Sequence, residues 1–212
     1  MVIKNGIDTC LYRFDATTRI QVRKELGIGD EVTVIGHVGG YNRQKNQQML
    51  MYILKAIEAK NPSKDFCLIS VGRGHTQKDV EQLASKLGVD GKVRFLGQRT
   101  DVPKLLNAMD MFFLPSLFEG FPIVAIEAQT AGLPLVIADT ISKEVELTNL
   151  VHWLPIDKGA EVWAEKYYQI AHTKVNRVQY APIVERKGFD ARHSAQILQD
   201  IYVKNILRNE NS

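Results

Sequence analysis

Cysteine is scarce in this 212-residue chain, where Cys10 and Cys67 stand far apart with no partner spacing. A disulfide framework and a thiolate metal site are excluded on that count. Cys67 lies inside the apolar run FCLISV and reads as a small buried hydrophobe, which suits a reducing cytoplasm. Long apolar runs are also lacking, because 111–116 and 133–138 fall far short of the roughly 20 residues of a membrane span. Neither sign of charge dominates: 27 basic residues are interleaved with 24 acidic ones, for a net charge of +3. With no basic stripe and no cluster of stacking aromatics, nucleic acid is a poor fit and a small phosphate ligand a better one. The opening residues, MVIKNGID, form no leader of the secretory kind. No Ser/His/Asp set, Walker loop or Cys/His ligand spacing occurs, so no metal site is expected.

What is present is alternation. Short β-branched or aromatic runs at 32–39, 66–72, 93–97, 111–116, 134–140 and 151–156 are mostly apolar rather than alternating, as strands covered on both faces by helices read. Helical patterns at about 46–59, 102–109, 122–131 and 160–172 separate them. The clearest helix is 77–87, with Val80, Leu83, Ala84 and Leu87 on one face and Gly88 as a stop. Strand–helix units in series predict an α/β fold, a Rossmann-like doubly wound parallel sheet of about six strands, in one domain. The strand pattern ends near 173. Beyond it, 172–193 reads as irregular connection with a short helix, and 195–207 as a helix. Ligands of such sheets sit outside the C-terminal strand ends, at the switch in strand order.

The loops there carry the chemistry. In PSLFEGFPIVAIEAQTAGLP (115–134), Pro122 fits the first helical position, so Gly120, Phe121 and the first helical residues can aim backbone N–H groups at an anion. Glu119 and Glu127 flank that point, and carboxylates accept hydroxyl hydrogen bonds. Phosphates between hydroxyl acceptors describe a nucleotide sugar better than a dinucleotide, although two solvated surface charges would give the same spacing. Gly39 and Gly40, in GGYNRQKN, allow close backbone approach, and Lys45 stands where a helix begins. Gly72, Arg73 and Gly74 of VGRG fit a pocket wall, whereas Gln77 replaces the third glycine of a dinucleotide fingerprint. His37 and Asp139, each at a strand end, are more simply structural.

FEGFPIVAIEAQTAGLP resembles the E-x7-E signature of the family-4 retaining glycosyltransferases of the GT-B fold, in their polysaccharide-synthesis branch. The resemblance covers nearly the whole chain. It takes in IKNGID (3–8), VIGHVGGYNRQKN, VGRG, VRFLGQRTDVPKLLNAMDMFFLPS (93–116) and the closing helix. It implies a C-terminal donor-binding domain over 1–212, with 1–8 ending an interdomain linker, 173–212 a helical segment, and the N-terminal acceptor domain absent. Glu119 would meet hydroxyls of the donor sugar and Glu127 the ribose, while the backbone of Gly120, Phe121, Pro122, Ile123 and Val124 would serve sugar and diphosphate. Lys45 would neutralise the leaving diphosphate, making it and Glu119 the catalytic pair. The family's second cation is missing, since Gly40 stands where an arginine is expected and only Arg43 is near. Gln98 and Arg99, in GQRTD, would meet the base. The implied activity is metal-independent, retaining transfer from a nucleotide-diphosphate sugar, UDP-linked, to a saccharide or lipid-linked acceptor, with no cofactor. The full enzyme would be cytoplasmic, with peripheral membrane association, and this half alone would transfer poorly. A binding module without catalysis and a nucleotide-sugar epimerase remain the alternatives.

Overall fold

The computed structural model describes residues 4–63 and 65–210. Ile3 of the IKNGID block and the last two residues lie outside them. After a four-residue helical turn, α1 (Thr9–Tyr12), and α2 (Ala16–Glu25), strands and helices alternate: β1 (Thr33–Val38), α3 (Gln47–Lys60), β2 (Phe66–Val71), α4 (Gln77–Leu87), β3 (Val93–Phe95), α5 (Val102–Ala108), β4 (Met111–Leu114), α6 (Ile123–Thr130), β5 (Leu135–Ala138), β6 (Val151–Leu154) and α7 (Ala160–Ala171). The chain then runs through a single 3-10 turn into α8 (Tyr180–Arg186) and α9 (Ala191–Glu210).

All six strands pair in parallel, in the order β3-β2-β1-β4-β5-β6. Every residue of β2, β4 and β5 is buried, whereas the outer strands β3 and β6 and the two ends of β1 are only partly so. The predicted strands are right in number and place, but each overran its C-terminal end into the loop that follows. Gly97 shows why at β3, since its φ of +63° turns the chain away after Leu96.

Helix α4 ends as its sequence requires. Gly88 takes φ +73° and donates its N–H to the carbonyls of Ala84 and Ser85, a left-handed cap that costs glycine little. Helix α9 begins earlier than the apolar pattern suggested, at Ala191 rather than 195. Its first turn is tied to the chain's start by a parallel bridge between Ile7 and Asp190.

The strand order reverses between β1 and β4. Their crossovers leave towards opposite faces, so the loops 39–46 and 115–122 part there and line a crevice. Both loops were singled out in the sequence, and the sheet places them side by side.

Candidate functional site

The two loops are bonded together directly. Leu117 donates its N–H to the Gln44 carbonyl at 2.8 Å, Asn46 Nδ2 donates to the Pro115 carbonyl at 3.1 Å, and Gln44 Nε2 donates to the Phe118 carbonyl at 3.1 Å. Asn46 holds a left-handed backbone, φ +53°, to start α3 at this point. Above these bonds Lys45 Nζ stands 2.6 Å from Glu119 Oε1, with side chains only 17% and 8% exposed. Ser116 Oγ donates to Glu119 Oε1 at 2.8 Å, and Gln44 Nε2 to Oε2 at 3.2 Å. Three donors, one of them the Lys45 cation, therefore hold this carboxylate.

The glycines of the neighbouring loops are packing requirements. A Cβ at Gly72, whose φ is +146°, would overlap the Gly39 carbonyl, and one at Gly74 would overlap the Tyr41 backbone. Tyr41 donates its N–H to the Arg73 carbonyl at 3.1 Å, and Gly72 donates to the Gly97 carbonyl at 2.8 Å. Loops after β1, β2 and β3 thus form one bonded wall. Gly40 differs, because the nearest atom to a Cβ there would be the Arg73 carbonyl oxygen at 3.7 Å. A Cβ is accommodated at Gly40; none is at Gly72.

Pro122 does not open the helix as its sequence position suggested. It precedes α6 with extended dihedrals, φ −71° and ψ 106°, and its carbonyl accepts the Ala125 N–H at 3.0 Å. The first helical residues are consequently Ile123 and Val124, whose N–H groups have no carbonyl one turn earlier in the helix. They point, with the helix dipole, towards the crevice side of the sheet. Nothing lies within 4 Å of a Cβ on Gly120, and Phe121 stacks on Phe189 with centroids 5.7 Å apart.

Glu127 is half-buried on α6, and burial raises its carboxyl above the usual range while a hydrogen bond from Tyr12 works the other way. That bond, Tyr12 Oη to Glu127 Oε1, is 2.7 Å long. The reading of both glutamates as solvated surface charges does not hold: each is held by donors, and neither side chain is free in water.

The remaining residues are more peripheral. Arg43, Arg73, Gly74, Gln98 and Arg99 are exposed around the crevice. Arg99 is engaged, its Nε and Nη2 reaching both oxygens of Asp101 at 2.8 and 2.7 Å. A base meeting this loop would thus find backbone before it found the guanidinium. Asp139 is exposed after β5. His37 is fully buried, donating from Nδ1 to the Phe113 carbonyl at 2.9 Å, and its Nε2 has no partner. Burial, more than any neighbouring charge, pushes its pKa down to about 4.

Sequence reasoning missed Ser116, Gln44 and Tyr12. The first two adjoin residues it found, within three positions of Glu119 and beside Lys45; Tyr12 carries no local signal. Among the described residues no cluster of three His, Cys, Asp or Glu is placed to hold a metal ion, and no helix is long and apolar enough to cross a membrane.

A doubly wound sheet with this crevice defines a GT-B-type α/β domain. The chain belongs to the family described as Glycosyl transferases group 1, whose profile matches residues 32–172. It is 30% identical over 203 residues to EpsF of Bacillus subtilis (strain 168), named a glycosyltransferase, with 95% of this chain and 52% of EpsF covered. The UDP-Gal:alpha-D-GlcNAc-diphosphoundecaprenol alpha-1,3-galactosyltransferase of Escherichia coli is 33% identical over 141 residues, covering 65% of this chain and 36% of that enzyme. The crystal structure of Anabaena Alr3699/HepE in complex with UDP and glucose matches with a TM-score of 0.77 at 25% identity, covering 95% of this chain and 56% of that one. The chain spans about half the length of EpsF and of HepE.

Proposed function

We propose that this chain is the donor-binding half of a retaining glycosyltransferase, taking a UDP-linked sugar without a metal ion. The observation that carries this is the Lys45–Glu119 pair, 2.6 Å apart at the strand-order switch. A cation there meets a diphosphate, and the carboxylate beside it meets sugar hydroxyls. Lys45 and the Ile123 and Val124 N–H groups stabilise the departing diphosphate as an oxocarbenium-like state forms at the sugar. Such preorganised donors are commonly worth about 2.7–4 kcal/mol each at a developing charge. Glu127 receives the ribose. The likeness to HepE, whose crystal structure holds UDP and glucose, supports the choice of base.

The acceptor, a saccharide or a lipid-linked sugar, would be held by a second half outside these 212 residues, in a cytoplasmic enzyme at the membrane surface. A binding module without catalysis is the second reading, and Gly40, which leaves the diphosphate one cation short, favours it. Calorimetry decides the first question. UDP and UDP-glucose should bind equally well in EDTA and in magnesium; binding lost in EDTA and regained with magnesium, or no binding of either ligand, overturns the proposal.

A further inference from the structure

Helix α1 is held from three sides although it is only four residues long. Asp8 caps it, its Oδ1 accepting the N–H groups of Cys10 and Leu11 at 3.1 and 3.3 Å. Thr9 Oγ1, fully buried, lies 2.5 Å from Asp190 Oδ2 and 2.7 Å from Glu185 Oε1. Ile7 exchanges backbone bonds with Phe189 and Ala191 at 2.9 Å each. The last residue of α1, Tyr12, meets Glu127 with its hydroxyl across 115 positions of sequence.

We propose that Tyr12 is a positioning residue for the ribose of the donor nucleotide. Its hydroxyl, anchored through α1 to α8 and α9, fixes the Glu127 carboxylate in the orientation that receives vicinal ribose hydroxyls. The proposal rests on the assignment of Glu127 to the ribose. The geometry supports it in three ways. Tyr12 binds Oε1 and leaves Oε2 to a ligand. The phenol is half-buried and held protonated by that burial and by Glu127, so it remains a donor at every working pH. A half-buried carboxylate without this donor would be drawn further towards its neutral form, which is a poorer hydroxyl acceptor. Among the described residues no charged group acts appreciably on Glu127, and Asp8 is the further acid that acts on Tyr12.

Tyr12→Phe in the full chain tests this, because it keeps the ring and removes only the donor. UDP and UDP-glucose should both weaken by the same factor, roughly ten- to a hundredfold for one hydrogen bond to a charged group. Inorganic pyrophosphate, which has no ribose, should bind as before. The pH at which UDP binding is lost on acidification should move upward, a shift that a packing role would not produce. In a Glu127→Gln background, Tyr12→Phe should add little further loss. UDP binding equal to or tighter than the parent would overturn the proposal, the latter showing the hydroxyl to be an obstacle. Pyrophosphate weakening in step with UDP would overturn it too, as a collapse of the whole crevice. If instead Glu127→Ala leaves UDP affinity unchanged, the assignment of Glu127 to the ribose is what fails.

Discussion

Lys45 Nζ and Glu119 Oε1 stand 2.6 Å apart at the point where the strand order reverses. The cation proposed for the diphosphate and the carboxylate proposed for the sugar are thus bonded to each other before any ligand arrives. Each keeps the other from being a lone buried charge, which would cost several kcal/mol.

Lys45→Ala should therefore lose diphosphate affinity, by about 1.5–3 kcal/mol for a charged hydrogen bond. Arg43→Ala should be nearly silent, since Arg43 is exposed. Gly40→Arg meets no backbone clash at its Cβ and should strengthen UDP binding by a comparable amount. Calorimetry with UDP on the three variants checks this; an Arg43→Ala loss as large as that of Lys45→Ala would show that Arg43 already fills the vacant role.

Glu127→Gln should separate stability from binding. Burial raises the Glu127 carboxyl in the folded state, so its contribution to stability is full at low pH and is lost as pH rises through that raised value. The amide removes the loss: melting temperature at pH 7 should rise, with little change near pH 4, while UDP and UDP-glucose both bind more weakly. Glu119→Ala should weaken UDP-glucose more than UDP. Equal losses for both ligands in the Glu119 variant would contradict its assignment to the sugar.

His37 should make the protein acid-sensitive. With its pKa pushed down to about 4 by burial, the folded state stays neutral where the unfolded chain takes up a proton, below about pH 6.5. Its share of stability is present above pH 6.5 and is lost as pH falls to about 4, roughly 3 kcal/mol in all. Urea unfolding at pH 7 and pH 4.5 measures it, and His37→Asn should narrow the difference between the two. A parent protein and variant with the same pH dependence would refute this account.

Gly72→Ala should destabilise by about 2–3 kcal/mol, combining an unfavourable φ with overlap on the Gly39 carbonyl. Gly88→Ala is the control, because Gly88 also has positive φ but open space around it, so it should cost only about 1 kcal/mol. Chemical denaturation gives both values; equal costs would mean that the loops after β1 and β2 yield easily to each other.

Much of this was legible in the sequence, and what was not shares a cause. Mostly apolar runs announced buried parallel strands, and the Val80–Leu87 periodicity with Gly88 placed α4 to the residue. Glu119, Glu127 and Lys45 were found because strand-to-helix loops are where this sheet type puts its ligands. Pro122 fell one residue outside α6, since proline's fixed φ suits the residue before a helix as well as the first within it. The pairing of Arg99 with Asp101, two residues on, was not anticipated. Tyr12, the buried Arg23 and the part-buried Arg177 were invisible. Arg23 reaches the Ala108 and Val32 carbonyls at 3.1 and 2.6 Å, and Arg177 reaches those of Leu106, Met109 and Ala131 at 2.8–2.9 Å. Those acceptors converge only in three dimensions, so no spacing along the chain announces them.

The contact of Gly72 with the Gly39 carbonyl, and of Gly74 with the Tyr41 backbone, has a bearing on how such domains can diversify. Neither loop can be re-cut alone, because a side chain admitted at Gly72 or Gly74 displaces the Gly39–Tyr41 backbone that leads to Lys45. Exchange of donor preference between relatives should therefore succeed when 39–45 and 72–76 are transplanted as one cassette. Single-loop chimaeras should be recovered mainly as misfolded protein.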